Sequence, residues 1–240
     1  MERGGAGSVP CWVSVLVQLY GITTIDDALL CVDAGADHVG LVVREGHEAW
    51  DEIDLETART ILAALEGRVQ RVVCTLATGL DQVRHTARTT RPDILHLARA
   101  TRFEPDELAD LRRETGLRLM CTVPVTGPEA VGLARRYAPV ADYLLLDTTH
   151  PTSGVVGATG LTHDWALSAE IVRAVQTPVI LAGGLGPDNI GEAVRRVRPD
   201  GVDSETNTSR PDHRRGKDPD RVRRFVGRAR SAGQETSYEA

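Results

Sequence analysis

Residues 17–43 read VQLYGITTIDDALLCVDAGADHVGLVV. The apolar run Val13–Leu19 is expected to form a strand. Thr23 and Thr24 then open a helix over Thr24–Ala34, with Asp26 and Asp27 in its first turn. Gly35 ends it, and His38–Val43 reads as a second strand. Strand, helix and strand thus follow one another within a single short stretch. Tyr20 stands where the first strand hands over to a loop. In α/β enzymes that position carries chemistry, so its side chain is a reagent, a lid or a plug.

The same unit recurs along the chain. Helical stretches are expected at Leu55–Leu65, Leu80–Arg88, Pro105–Thr115, Pro128–Tyr137, Trp165–Val175, Asp188–Val197 and Pro219–Arg230. Strands are expected between them at Arg71–Leu76, Ile94–Leu97, Arg118–Val123, Tyr143–Leu146, Val179–Leu181 and Gly201–Asp203. Strands apolar on both faces and separated by helices belong to a parallel sheet. Eight such units in about 250 residues suit a single-domain α/β (β/α)8 TIM barrel. A doubly wound open sheet is the alternative, and the count of eight favours closure. The barrel is placed at residues 13–231, with a flexible leader at 1–12 and a flexible tail at 232–240.

Composition sets the outer limits. The chain has 240 residues, 41% of them hydrophobic, which is enough for a core. Aromatic residues are only 4%, so that core is built from Leu, Val, Ile and Ala. A net charge of −6 argues against a general nucleic-acid binder. The arginine-rich stretch 210–230 carries Asp212, Asp218 and Asp220 as well, and reads as a solvated helix face. The cysteines Cys11, Cys31, Cys74 and Cys121 form no CxxC pair, which suits a reducing, cytoplasmic setting without a zinc site. No apolar run approaches the ~18 residues of a membrane span.

A barrel gathers its strand ends at one face, and that gives a candidate list. It comprises Gln18, Tyr20, Arg44, Glu45, His47, Cys74, Thr75, His96, Arg99, Cys121, Thr122, Asp147, Thr148, His150, Gly183, Gly184 and Asp203–Asn207. Alternation along DYLLLDTTH places Tyr143, Leu145 and Asp147 on one face. A carboxylate at an apolar mouth has a raised pKa and suits a general acid, against the plainer reading of a loop cap. In PVILAGGLGPDNI, Gly183 and Gly184 allow close backbone approach, as a phosphate cradle needs. The plainer reading is a tight turn before a helix. His47, His96 and His150 show no helical pair of the HExxH kind, so they read as hydrogen-bonding groups and no metal is expected. Cys31 reads as core.

Several blocks together resemble the phosphoribosylanthranilate isomerase family. VQLYGITTIDDALLCVDAGADHVGLVV is similar to its opening strand, which ends Lys-Ile-Cys-Gly-Ile-Thr before an acidic helix and Ala-Gly-Ala-Asp. LLLDTTH resembles its sixth strand, GATGLTHDW its Gly-Gly-Thr-Gly-Lys-Thr-Phe-Asp-Trp loop, and LAGGLGPDNI its seventh unit. VRPDGVD and GKDPDRVRRFV resemble its end. The resemblance implies a (β/α)8 barrel performing an Amadori rearrangement of a phosphoribosyl amine without a cofactor. The sixth-strand aspartate, Asp147 here, protonates the ring oxygen. The first-strand cysteine takes the C2 proton, and Tyr20 stands in its place. Gly183 and Gly184 match part of the phosphate site.

The departures cluster on the pocket side. Gln18 replaces the lysine two residues before the cysteine, and Leu161 replaces the lysine of the sixth loop. His96-Leu97-Ala98-Arg99 stands for Gln-Leu-His-Gly. Asp203-Ser204-Glu205-Thr206-Asn207-Thr208 stands for the Asp-Val-Ser-Ser-Gly run. A phenol has a reference pKa near 10 against about 8.5 for a thiol, and its bulk would fill space the sugar needs. Under an isomerase reading, Glu45, His96, Glu205 and Cys74 are candidates for a substitute base. Ser204, Thr206, Asn207, Arg44 and Arg99 are candidates for holding the phosphorylated substrate. A repurposed barrel is a second reading, covering lyase, condensation or sugar carbon–carbon chemistry in specialised metabolism. No strand ends in a lysine for a Schiff base, since Lys217 is the only lysine. A non-catalytic binder or partner subunit is the third. The protein is expected to act as a monomer or homodimer.

Overall fold

A computed structural model of the chain describes residues 15–44, 51–148, 162–211 and 215–238. Glu45, His47 and His150 lie outside these residues, as does most of the sixth loop. The strands are β1 (Leu16–Leu19), β2 (His38–Val42), β3 (Gln70–Thr75), β4 (Ile94–Leu97), β5 (Arg118–Pro124), β6 (Tyr143–Asp147), β7 (Val179–Leu181) and β8 (Gly201–Ser204). The intervening helices are α1 (Ile25–Asp33), α2 (Leu55–Ala64), α3 (Leu80–Thr90), α4 (Pro105–Thr115), α5 (Glu129–Tyr137), α6 (Trp165–Ala174) and α7 (Ile190–Val197). The last helix, α8, is Pro219–Tyr238. Each strand pairs in parallel with the next, and β8 pairs with β1 to close an eight-stranded barrel.

Local chemistry sets the boundaries. Thr24 caps α1 by accepting from the Asp27 N–H, and Asp54 caps α2 by accepting from the Thr57 N–H. Pro105 starts α4 behind a Glu104–Glu107 capping box, and Gly116 ends it at φ 68°. The helix expected to stop at Arg230 runs on to Tyr238, so residues 232–238, read from sequence as tail, are helical. Ala232 is buried there, and Gly233 lies against Val15.

Alternation divides the strand residues into two cores. Leu95, Leu97, Leu119, Cys121, Leu144 and Leu146 face outward and pack with the helices. Val72, Cys74, Ile94, Met120, Leu145 and Ile180 face inward and fill the barrel with Tyr20. The N-terminal end of the barrel is polar. Gln18 Oε1 lies 3.0 Å from His38 Nδ1, and the His38 ring meets Tyr143 edge-on at 5.3 Å. Arg118 Nη1 donates to the Tyr143 hydroxyl over 3.4 Å. Burial holds His38 neutral, with its pKa lowered to about 4.

Candidate active site

β1 carries Tyr20 to the C-terminal mouth, where its side chain turns inward and is only 5% exposed. β2 makes room for it. A Cβ on Gly40 would stand 2.5 Å from the tyrosine ring, so the ring occupies space that any other residue at position 40 would need. The phenol oxygen reaches across the barrel to His96 Nδ1, 2.7 Å away on β4. His96 Nε2 in turn lies 2.7 Å from Thr122 Oγ1 on β5. Burial lowers the His96 pKa to about 3, so the imidazole is neutral. With its proton on Nε2 it accepts from Tyr20 and donates to Thr122. The Tyr20 pKa is raised well above its usual value, by burial first and then by Cys74, Asp203 and Glu205. A phenol so placed keeps its proton. Tyr20 therefore floors the opening, taking its volume from the interior beside Gly40.

Above this floor stand carboxylates. Asp147, at the end of β6, is half-buried, and burial pushes its pKa up to about 7. One of its oxygens, Oδ1, accepts from the Thr148 N–H at 2.7 Å. Asp203, on β8, is 8% exposed. Its pKa is pushed up to about 8, by burial first and then by the charge of Asp147, while a hydrogen bond from Gln18 works in the other direction. Glu205 is half-buried and also raised, by burial and by Asp51. Asp51 is itself pushed to about 6 by burial. The atoms Asp51 Oδ2, Glu52 Oε1, Asp203 Oδ1, Glu205 Oε1 and Thr206 Oγ1 are buried with no partner among the described residues. Buried polar groups without partners are uncommon in a folded chain. These atoms are gathered in the segment after β2 and at the end of β8.

Lys217 is a cation of this region and is wholly buried. Its Nζ donates to Glu205 O at 3.0 Å, Ser209 Oγ at 3.1 Å and Thr208 Oγ1 at 3.2 Å. Burial lowers its pKa, and nearby Glu205, Asp203 and Asp51 oppose that. It braces the single 3₁₀ turn Thr206–Thr208 that follows β8.

The loops after β7 and β8 are tied together. Gly183 and Gly184 have φ of 81° and 62°, a conformation glycine takes without strain. A Cβ on Gly183 would meet Thr148 Oγ1 at 2.3 Å. The Ser204 hydroxyl donates to Leu185 O at 2.7 Å, and Asn207 Nδ2 donates to Gly184 O at 2.9 Å. These two side chains join the loops, while Thr206 Oγ1 is buried without a partner among the described residues. Thr148 Oγ1 lies 3.0 Å from His163 Nδ1, and His163 Nε2 lies 2.7 Å from Ser168 Oγ. Arg44 is exposed and reaches Glu52 O, while Arg99 is half-buried ahead of a 3₁₀ turn.

The strand-end positions named from sequence thus separate into groups. Tyr20, His96, Thr122, Asp147 and Asp203 come together at the mouth, Cys74 lies within the barrel, and Cys121 faces the helices. Glu205, Thr206 and Asn207 form the rim with Gly183 and Gly184. Glu45 is outside the described residues. Sequence reading placed Asp203 at the face but did not single it out. The signal was available, because alternation from Gly201, whose Cβ would press on Leu16, sets residue 203 inward. Asp51, Gly40 and the burial of Lys217 carried no local signal. Among the described residues, no group of three or more His, Cys, Asp or Glu side chains is arranged to hold a metal ion. Nor is any helix among them long and apolar enough to cross a membrane.

These features define a class, a (β/α)8-barrel enzyme whose mouth sets raised carboxylates against a glycine-rich turn. The family model for N-(5'-phosphoribosyl)anthranilate (PRA) isomerase matches residues 17–226. The chain belongs to the PRA isomerase family. It is 40% identical over 216 residues to N-(5'-phosphoribosyl)anthranilate isomerase of Haloferax volcanii, covering 90% of this chain and 93% of that one. The solved phosphoribosyl anthranilate isomerase of Thermotoga maritima superposes with a TM-score of 0.75 at 29% identity, covering 90% and 99%. A solved complex of such an isomerase with reduced 1-(o-carboxyphenylamino)-1-deoxyribulose 5-phosphate gives 0.73 at 27% identity, with the same coverage. The chain is thus an isomerase of this family. The alternatives of a repurposed barrel and a non-catalytic binder are not favoured by these relatives.

Proposed function

We propose that the protein isomerises N-(5'-phosphoribosyl)anthranilate, with Asp147 as the general acid. The observation that carries this reading is Asp147 itself. It ends β6, faces the mouth, and is held by burial at a pKa of about 7. A carboxyl group with that pKa retains a proton near neutral pH and can pass it to a ring oxygen. Opening of the sugar ring gives a Schiff base between C1 and the anthranilate nitrogen. Loss of the C2 proton gives an enolamine, and transfer of a proton to C1 completes the ketose. No redox partner is needed, since one carbon is oxidised as its neighbour is reduced.

The phosphate is assigned to Gly183, Gly184 and the rim residue Thr206. Both glycines take positive φ, and the Asn207–Gly184 bond fixes the two loops against each other. Half-buried Arg99, just after β4, is assigned to the anthranilate carboxylate or the phosphate. The substrate is a small phosphorylated molecule and the reaction is cofactor-independent. A monomer or homodimer suits the reading, as a relative from Thermotoga maritima is described as dimeric. Unbridged Cys31, Cys74 and Cys121 accord with a cytoplasmic setting.

The test is a steady-state assay on freshly generated PRA with the wild type and Asp147→Asn. Expected is turnover by the wild type, with kcat lowered about 10²–10⁴-fold in the variant. An inactive wild type would overturn the reading.

A further inference from the structure

The chemistry needs a base, and the position where the family carries a thiolate holds a phenol that keeps its proton. Other groups at the mouth are less well placed. Both ring nitrogens of His96 are hydrogen-bonded, one to Tyr20 and one to Thr122. Glu205 lies beyond the end of β8, among Asp51 and the Lys217 cation. Asp203 differs from these. It is the inward residue of β8, in register with Gln18 of β1, and the next pair along the ladder is Leu19 with Ser204. The Tyr20 N–H donates to Ser204 O at 3.1 Å, so Asp203 sits immediately beside the place the thiolate would occupy. Its Oδ1, like Glu205 Oε1, is buried and has no partner among the described residues, but of the two only Asp203 stands on a barrel strand.

We propose that Asp203 is the general base of this enzyme, taking the C2 proton that a first-strand cysteine takes elsewhere in the family. The proposal rests on the PRA isomerase reading and adds to it the missing half of the proton transfer. Gln18 is held beside the carboxylate. His38 Nδ1 holds Gln18 Oε1 at 3.0 Å and the Gln18 amide N–H₂ lies 3.9 Å from Met120 Sδ, in register with Asp203, whose ionised form Gln18 favours. Gln18 stands where the family carries lysine. An amide orients a carboxylate without neutralising it, whereas an ammonium group would draw off its basicity. Replacement of Lys by Gln at 18 and of Cys by Tyr at 20 therefore form one change, which moves the base from β1 to β8.

Asp147 supplies the other half. Two carboxyl groups facing one apolar mouth hold a single proton between them, because two buried like charges oppose each other. The singly protonated pair is the working form, in its minor arrangement with the proton on Asp147, because Asp203 has the higher pKa of the two, about 8 against about 7. Asp147 gives its proton to the ring oxygen as the C1–O bond breaks. Asp203 then accepts the C2 proton as the electron pair moves to form the enolamine. Loss of the enol proton and protonation of C1 restore the count, so protons and electrons balance without a co-reactant. Tyr20 is the floor beneath this pair, locked to His96.

The test compares wild type, Asp203→Asn and Asp203→Asn with Tyr20→Cys on PRA, with thermal unfolding of each. Asp203→Asn is isosteric and replaces a carboxyl group that is mostly uncharged near neutral pH, so the fold is expected to persist. Expected are a kcat loss of about 10²–10⁴-fold with KM changed by less than about threefold, and recovery of about tenfold or more on adding Tyr20→Cys. In a second variant, Asp203→Ser, added formate is expected to restore part of kcat. A kcat in Asp203→Asn within about threefold of wild type would overturn the proposal, as would a loss borne by KM alone. An inactive wild type would overturn the isomerase reading together with this one, whereas an active wild type indifferent to Asp203 overturns this one alone.

Discussion

Gly40 and Tyr20 face each other across β2 and β1 so closely that a Cβ on the glycine would stand 2.5 Å from the tyrosine ring. The aromatic floor of the site thus depends on the absence of a side chain on the neighbouring strand. Gly40→Ala is expected to cost about 1–3 kcal/mol through overpacking. In a Tyr20→Cys background most of that cost should disappear. Urea unfolding of the four proteins of this double-mutant cycle measures the coupling. Additive effects would mean that the ring does not occupy the space at Gly40.

Tyr20→Phe separates structure from catalysis. The change leaves buried His96 Nδ1 without its partner at 2.7 Å. Stability is expected to fall by about 1–3 kcal/mol, the cost of an unsatisfied buried group. Turnover of PRA should stay within about threefold, since the phenol moves no proton. A loss of kcat of about a hundredfold or more would instead assign proton transfer to the hydroxyl.

Stability should fall as pH rises above neutrality. Asp147 at about 7 and Asp203 at about 8 are raised above their unfolded value of 3.8, so the folded chain binds more protons until those values are passed. The stability they contribute is full below the unfolded value and is lost as pH rises through the folded ones. His38 and His163 at about 4 and His96 at about 3 are lowered from 6.5, so they oppose folding only as pH drops below that value. Above 6.5 the raised carboxylates, Glu205 among them, set the falling trend, and Lys217, lowered by burial, works against it. Tm is expected to decline from about pH 6.5 to about 8.5, and Asp203→Asn should flatten the slope. A Tm rising across that interval in the wild type would contradict the assignment.

Lys217 offers a chemical probe of the rim. It is the only lysine in the chain and is 0% exposed, with three oxygens around its Nζ. An amine-reactive reagent followed by peptide mass mapping should leave Lys217 unmodified in the native protein and label it after denaturation. Native labelling at the rate of a free lysine would show that the turn after β8 opens readily. Lys217→Met should lower stability by several kcal/mol at most, because it leaves buried oxygens without their donor.

Much of the architecture was readable along the chain. Ile94–Leu97, Pro105–Thr115 and Val179–Leu181 fall where the pattern of apolar residues places them. Strands enclosed on both faces leave short apolar runs, and helices between them leave a period near 3.6. Boundaries moved where turns took residues from helices. Gly186-Pro187-Asp188 forms a turn closed by Asn189, so α7 begins at Ile190 rather than Asp188. The C-terminal helix ran on past Arg230 because Ala232 and Gly233 pack against the barrel, a long-range contact without a local mark.

The sequence by itself determined the barrel, the order of its strands, and the placing of Asp147 and Tyr20 at strand ends. Those properties follow from periodicity within a few residues. Only the tertiary structure decided what each side chain does. Tyr20 bonds His96 three strands away, Asp203 feels Asp147 across the mouth, and Gly40 matters because Tyr20 lies beside it. Barrel closure makes neighbours of residues far apart in the chain. The burial and charge that set their protonation exist only once that closure has removed water from between them.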